Sequence, residues 1–357
     1  MKSGEPMTSP AGRQMAAEIA EQPTVLARLA ADGGPHLAAV AGAIAGRAPR
    51  FVLLAARGSS DHAALYAKYL IEIRLGLPAG LVSPSALTVY GARPDLRDVL
   101  FLAISQSGGS PDLIDSLAVA RGCGALTVAV TNEPASELAR AAELTVDVQA
   151  GAELAVAATK SYTAELLALY LLVMPLASGG PDNRQLADAL AQAAEQTLSR
   201  PSELAEVAER LRPATRLLTT GRGFGYPTAR EAALKLMETC YLGAQAFSGA
   251  DLLHGPMAMV DAGLPVLAVA TPGTGGRAML EVLERLRGRR ADLVVVGGLP
   301  GIPDDAPVLP VCTEGLPEEL FPVVEILPLQ QLSWQLARLR GVDPDAPRGL
   351  AKVTRTW

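Results

Sequence analysis

The chain has 357 residues, room for two ordinary domains rather than one. Its 31 basic and 37 acidic residues leave a formal charge of −6, which argues against a nucleic-acid partner or an anionic membrane surface. Hydrophobic residues reach 49% but aromatics only 4%, so the core must be built mainly from Ala, Leu and Val. Cys123, Cys240 and Cys312 form no CxxC pair, and His36, His62 and His254 are the only histidines. That excludes a disulfide framework and a cysteine-rich zinc site, and it suits a reducing cytoplasm. Residues 1–14 lack the apolar stretch of a signal peptide, and the longest apolar run, Leu166–Ala177, is too short to span a bilayer. A soluble cytoplasmic protein is the expectation.

In chain order, residues 11–47 read as one or two helices packed on the outside of a first α/β unit. Short Val/Leu/Ile runs then read as strands at Phe51–Ala55, Val99–Ile104 and Leu126–Val130, and again at Arg216–Thr220, Val266–Ala270 and Leu293–Val296. Gly, Asp, Asn or Pro bounds each run, and Ala-rich or amphipathic helices alternate with them, a pattern that predicts parallel sheets with helices on both faces. The order occurs twice: strand, Gly-containing turn, helix, second strand, small-residue loop, helix, third strand. The chain therefore reads as α/β, two tandem doubly wound parallel-sheet domains. The expected division is a helical segment over 1–47, a first domain over 48–198, a second over 199–341 and a tail over 342–357. SGGPD (178–182) and the polar helices over 183–212 read as the connection between the units.

Ligands of open parallel sheets bind outside the carboxyl ends of the strands, where helix N-termini offer free N–H groups. Two loops of the first unit sit there: Arg57-Gly58-Ser59-Ser60 and Ser105-Gln106-Ser107-Gly108-Gly109-Ser110. Ser and Gly are also favoured at ordinary caps and turns. Two such loops at adjacent strand ends point further, to a phosphate dianion held by hydroxyls and backbone N–H groups. Neither GxxxxGK[ST] nor a GxGxxG after a strand is present, which leaves a small phosphorylated metabolite rather than a nucleotide. Thr159 and Lys160 are either a cap and a solvated charge or further groups beside the same crevice. In the second unit Glu231, Lys235 and Glu238 recur at i, i+4 and i+7, on one helix face. Leu234, Met237 and Tyr241 form the adjoining apolar stripe, expected to seat that helix and to raise the pKa of Glu238 by burial.

The motifs SQSGGSPD (105–112), AVAATKSYTAE (155–165), GRGFGYPTAREAALKLME (221–238), LLHGP (252–256) and APRGLAK (346–352) occur in this order. Together they resemble the sugar isomerase (SIS) domain family, from about Phe51 to Lys352. The likeness is strongest to the isomerase half of glutamine–fructose-6-phosphate amidotransferase and to two-domain glucosamine-6-phosphate deaminases. It implies flavodoxin-like domains with the tail over the active site. It further implies that Ser60, Ser105, Gln106, Ser107 and Ser110, with Ser59 beside them, grip the 6-phosphate. Val156, Ala157 and Thr159 would line the sugar. Glu238 stands at the position of the proton-transferring carboxylate and Lys235 at the lysine one turn before it. His254 matches a ring-opening histidine that the family supplies from the neighbouring subunit, which implies a homodimer. Lys352 matches the tail lysine that engages the sugar carbonyl. No metal and no cofactor are implied.

Two departures bear on the reaction. The synthase carries a glutaminase domain with a cysteine nucleophile, whereas no cysteine precedes Cys123 here, so no ammonia source is expected in this chain. The synthase loop reads SQSGET, whereas Gly109, Ser110, Pro111 and Asp112 follow Gly108 here, a form more like the deaminases. The expected function is deamination of glucosamine 6-phosphate to fructose 6-phosphate and ammonia. An aldose–ketose phosphosugar isomerase, a fructosamine-6-phosphate deglycase and a non-catalytic sugar-phosphate sensor are the alternatives.

Overall fold

The computed structural model describes residues 11–177 and 179–353. Residues 1–10, Ser178 and 354–357, which include the start of the expected helical segment and the end of the tail, lie outside the described residues. Two helices come first, α1 (Arg13–Asp32) and α2 (Gly34–Arg47). The first unit runs β1 (Phe51–Ala55), α3 (Ser59–Arg74), β2 (Ala79–Leu81), α4 (Pro84–Thr88), β3 (Val99–Ile104), α5 (Pro111–Gly122), β4 (Leu126–Thr131), α6 (Glu137–Ala141), β5 (Leu144–Asp147) and α7 (Lys160–Ala177). Helices α8 (Asn183–Leu198) and α9 (Pro201–Leu211) lead to the second unit. That unit runs β6 (Arg216–Gly221), α10 (Gly225–Cys240), β7 (Gly243–Ser248), α11 (Gly249–Leu253), β8 (Pro265–Ala270), α12 (Thr274–Arg277), α13 (Leu280–Gly288), β9 (Asp292–Gly297), β10 (Val308–Pro310) and α14 (Phe321–Leu339).

Each unit holds one five-stranded sheet, ordered β2-β1-β3-β4-β5 and β7-β6-β8-β9-β10. Every pairing is parallel. The two orders are the same once strands are matched by position, so the repeat read from the sequence is a repeat of topology. In both sheets the strand order reverses beside the first strand, which opens a crevice at the carboxyl ends of β1 and β3 and of β6 and β8. The interior strands β3, β4, β8 and β9 are buried along nearly their whole length, as parallel strands with helices on both faces must be.

The two units meet through the helices that follow their first strands, since α3 packs against α10. Both bury several alanines, Ala63, Ala64 and Ala67 on α3 and Ala229, Ala232 and Ala233 on α10, which suits close packing. Phe224, at the start of α10, lies with its ring centroid 6.0 Å from that of Tyr66 on α3. Helix α7 is buried on all sides from Lys160 to Val173, between α1, α2 and α3. Helix α1 departs from expectation. It packs on α7 but also on α8 and α14, so it ties the connection and the second unit to the first rather than covering the first alone. Asp345 of the tail accepts the Gln14 and Met15 N–H groups in the first turn of α1, an N-terminal cap supplied from the far end of the chain. No described helix is long and apolar enough to cross a membrane.

Candidate active site

The first unit presents two loops at the carboxyl ends of β1 and β3. Gly58, with φ 58°, turns the chain out of β1 into α3, and residues 105–110 turn β3 into α5. Gly108 has φ 57°, and a Cβ there would fall 2.1 Å from Ser136 Oγ, so only glycine fits this turn. The loop is internally wired: the Gly108 N–H donates to Ser105 Oγ at 3.2 Å and the Gly109 N–H to Ser107 Oγ at 3.3 Å. Ser110 stands at the N-cap of α5 with its side chain uncommitted to the helix. Arg57 joins the two loops by donating to Asp112 at 2.7 and 2.9 Å. The hydroxyls and backbone groups expected to hold a phosphate therefore share one crevice edge.

Across the crevice stands α10. Glu231 and Lys235 are fully buried, and Glu238, one turn on, is half-buried. Lys235 Nζ lies 3.3 Å from Glu231 Oε1, 2.7 Å from Glu238 Oε2 and 3.1 Å from Ser59 Oγ. Ser59 Oγ donates to Glu231 Oε1 at 2.9 Å, and His62 Nδ1 meets Glu231 Oε2 at 2.7 Å. Burial alone would push the Glu231 carboxyl up, but Lys235, His62 and Ser59 outweigh it and hold the group below its usual range. Burial likewise works against a charged Lys235, and the two carboxylates overcome it, so the ammonium is held more firmly than in water. The expected apolar stripe does not seat this helix. Met237 is 41% exposed and Leu234 and Tyr241 are half-buried, while Ala229, Ala232, Ala233, Leu236 and Cys240 make the packed face. Glu238 is thus set by an ion pair at the crevice rather than by apolar burial.

The tail closes the third side. Lys352 Nζ donates to Glu153 Oε2 and to the Ala155 carbonyl, each at 2.7 Å. Glu153 is buried, which alone would raise its pKa, but Lys352 and Ser161 outweigh burial and hold it low. Its other oxygen accepts the Thr159 and Ser161 N–H groups at 2.9 and 3.0 Å. Val353 follows onto the phosphate loop, its Cγ1 3.9 Å from the place a Gly109 Cβ would occupy. Val156 is half-buried and Ala157 and Thr159 are buried in this same segment. Lys160 does not join them, being buried and paired with Glu21 of α1.

Among the described residues, the buried side-chain oxygens without a hydrogen-bond partner include Asp112 Oδ1, Thr159 Oγ1, Glu165 Oε2 and Tyr162 Oη on these elements, and Glu238 Oε2, whose near neighbour is the Lys235 ammonium. Buried polar atoms left without partners are uncommon, and these lie on the loops and helices around the crevice. Sequence reasoning missed Glu153, Glu165 and His62. Each is brought in by tertiary packing, and no local spacing advertises it.

His254 is exposed at the end of α11. Alternation along β6 assigns the faces: Leu217 packs in the core that holds α10, Leu218 in the core formed by Leu252, Met257 and α13. Within one copy of the chain, His254 and Glu238 therefore belong to opposite faces of the second sheet.

The matching crevice of the second unit is filled from within. Glu318 accepts the Gly275 N–H at 2.9 Å, and its carboxyl carbon lies 2.6 Å from the position a Gly273 Cβ would take. Glu325 of α14 takes the hydroxyls of Thr228 and Thr271. In the first unit, by contrast, Ser105 and Ser107 accept only backbone N–H groups of their own loop among the described residues.

Comparison with known proteins agrees with this arrangement. The SIS domain family matches residues 48–175 and 210–303. A glutamine–fructose-6-phosphate aminotransferase (isomerizing) of Pyrobaculum aerophilum is 37% identical over 349 residues, covering 95% of this chain and 57% of that protein. The chain thus spans a little over half the length of that relative. Among solved structures, a proposed phosphosugar isomerase from Silicibacter pomeroyi superposes with a TM-score of 0.83 at 34% identity, over 93% of this chain and 99% of its own. The C-terminal domain of glucosamine-fructose-6-phosphate aminotransferase from Francisella tularensis gives 0.83 at 27% identity, over 96% of this chain and all of its own, 100%. With two matched segments, one in each half of a duplicated α/β fold, the chain belongs to the SIS domain family, among proteins of the phosphosugar isomerase type.

Proposed function

We propose that this protein deaminates glucosamine 6-phosphate, releasing fructose 6-phosphate and ammonia. One observation carries the reading: a single buried ammonium, Lys235, touches both Glu238 of the second unit and Ser59 of the first unit's loop. A carboxylate, a cation and a hydroxyl of the first loop of the expected anion cradle are then in one chain of contacts. Gly109 and Ser110, in place of the acid and threonine of the synthase loop, favour deamination.

In this reading the serine loops hold the phosphate and orient the reacting carbons, which supplies binding energy remote from the bonds that change. His254 of a second copy shuttles a proton at the ring oxygen and opens the pyranose. Glu238 removes the proton from carbon 2, and the electron pair moves toward the carbonyl oxygen at carbon 1. Lys235 and Lys352 stabilise the charge that gathers on that oxygen. That oxygen takes a proton from solvent to give the enolamine, and the protonated Glu238 returns its proton to carbon 1, giving an iminium at carbon 2 whose hydrolysis gives the solvent proton back. Water adds there and ammonia leaves, so one water is consumed for each ammonia released. Lys235 holds the Glu238 carboxyl at 2.7 Å, and its half-buried setting leaves room for the sugar.

Incubation with glucosamine 6-phosphate, without glutamine, followed by assay of ammonia and ketose phosphate tests this directly. Equal yields of both are expected. Interconversion of glucose and fructose 6-phosphates without ammonia would assign an isomerase instead, and tight binding with no turnover would assign a sensor.

A further inference from the structure

Glu165 lies on α7, wholly buried, and takes no part in the proposed reaction steps. Its Oε1 is 2.9 Å from Ser60 Oγ, and its Oε2 has no partner among the described residues. The titratable groups that face it are Glu153 from the preceding loop, Glu231 from α10 and Tyr162 from its own helix. Both of those carboxylates already have cations or imidazole, Glu153 with Lys352 and Glu231 with Lys235 and His62. Glu165 has no ion-pair partner among the described residues.

We propose that Glu165 is a positioning residue for the phosphate grip: as a neutral carboxyl it donates its proton to Ser60 Oγ and turns the Ser60 hydrogen toward the substrate's phosphoryl oxygen. A serine hydroxyl has one hydrogen. If Glu165 were ionised, that hydrogen would be committed to the carboxylate, and Ser60 would present only lone pairs to an anion. Protonated, the carboxyl donates instead and frees the hydroxyl to donate in turn. Burial raises the Glu165 pKa to about 8, with Glu153 and Glu231 adding to it and the Ser60 hydrogen bond opposing, so the neutral form prevails at pH 7. A bound dianion shifts the balance further the same way. This proposal rests on the reading of Ser60 as a phosphate-binding residue.

Fructose 6-phosphate, which has no amine to titrate and is a dianion above pH 7 because its second phosphate pKa is about 6, is the suitable probe. Its dissociation constant is measured by calorimetry from pH 7 to 9.5 for wild type, Glu165→Gln and Ser60→Ala. In wild type it should weaken above about pH 8, levelling off about 10- to 100-fold higher, the worth of one hydrogen bond to a charged group. Glu165→Gln, whose carboxamide donates at every pH, should keep the neutral-pH affinity throughout. Ser60→Ala should bind weakly at pH 7 and show no rise. If Ser60→Ala is weak but Glu165→Gln keeps the wild-type pH dependence, the role of Glu165 is overturned while the phosphate site stands. If Ser60→Ala binds as tightly as wild type, the phosphate assignment of Ser60 fails and this proposal with it. A flat wild-type profile also overturns it, and that result needs no variant to fold.

Discussion

Lys235 Nζ lies 3.1 Å from Ser59 Oγ, a contact that joins α10 of the second unit to the first turn of α3 in the first. The same nitrogen is 2.7 Å from Glu238 and 3.3 Å from Glu231. Because this pair of domains is built around one buried cation, both its folding and its chemistry respond to the charge there.

Lys235→Met is expected to destabilise the protein by about 3–5 kcal/mol, since it leaves Glu231 buried without its strongest countercharge. Urea denaturation at pH 7 measures this. Adding Glu231→Gln to Lys235→Met should restore most of the loss, because replacing both members removes the uncompensated charge. A double variant no more stable than the single one would show that the ion pair is not the source of the loss.

Glu325 gives a prediction on pH. Burial raises its pKa from 4.5 to about 7, against the hydrogen bonds from Thr271 and Thr228. Between those values the unfolded chain has released a proton that the folded chain keeps, so the contribution to stability is greatest below the window and declines as pH rises through it. Glu325→Gln should therefore melt higher than wild type at pH 8, with the difference shrinking toward pH 4.5. A difference that grows on acidification would reverse the assignment.

Much of this architecture was legible in the sequence, and the parts that were not have physical causes. The six interior strands announce themselves because most of their residues are buried: β1, β3, β4, β8 and β9 are mainly Val, Leu, Ile or Ala, while β6 shows only Leu217 and Leu218 before two threonines. The strands that were missed, β2, β5, β7 and β10, are all sheet edges. Stretches such as Ala79–Leu81 and Gly243–Ser248 are short or half-exposed and carry Gly and polar residues, so no apolar run marks them. The Glu231-Lys235-Glu238 spacing showed that three charges share a helix face, but the neighbouring Leu234 and Met237 suggested the wrong side for the core. The packed face of α10 instead carries Ala229, Ala232, Ala233, Leu236 and Cys240, and Ala is too neutral a signal to reveal a packing face. Glu153 and Glu165 come to the crevice from a loop and from a helix buried all round, where periodicity carries no direction.

Ser105→Ala combined with Ser107→Ala should raise KM for a sugar phosphate at least tenfold and change kcat far less. On the proposed reading these hydroxyls grip the phosphate, remote from carbons 1 and 2, and such uniform binding appears in KM. Steady-state kinetics with glucosamine 6-phosphate checks this, and an unchanged KM would move the phosphate elsewhere.

His254 and Glu238 belong to opposite faces of the second sheet, and the proposed mechanism therefore takes His254 from a second copy of the chain. Protomers carrying His254→Ala and protomers carrying Glu238→Gln, each inactive alone, should regain activity when mixed. Random pairing gives about a quarter of wild-type activity per protomer, since half of the dimers are mixed and each has one intact site. Mixtures that remain inactive while exchanging subunits would place the ring-opening group within one chain.

The most direct measurement follows the proton that Glu238 is held to move. In D2O, with fructose 6-phosphate, the wild-type protein should exchange a carbon 1 hydrogen for deuterium, read by NMR. Glu238→Gln should slow that exchange by about 10²–10⁴, the usual worth of a positioned general base, while binding the sugar phosphate nearly as well. A Glu238→Gln protein that exchanges at more than about a tenth of the wild-type rate would contradict the assignment of this carboxylate as the base.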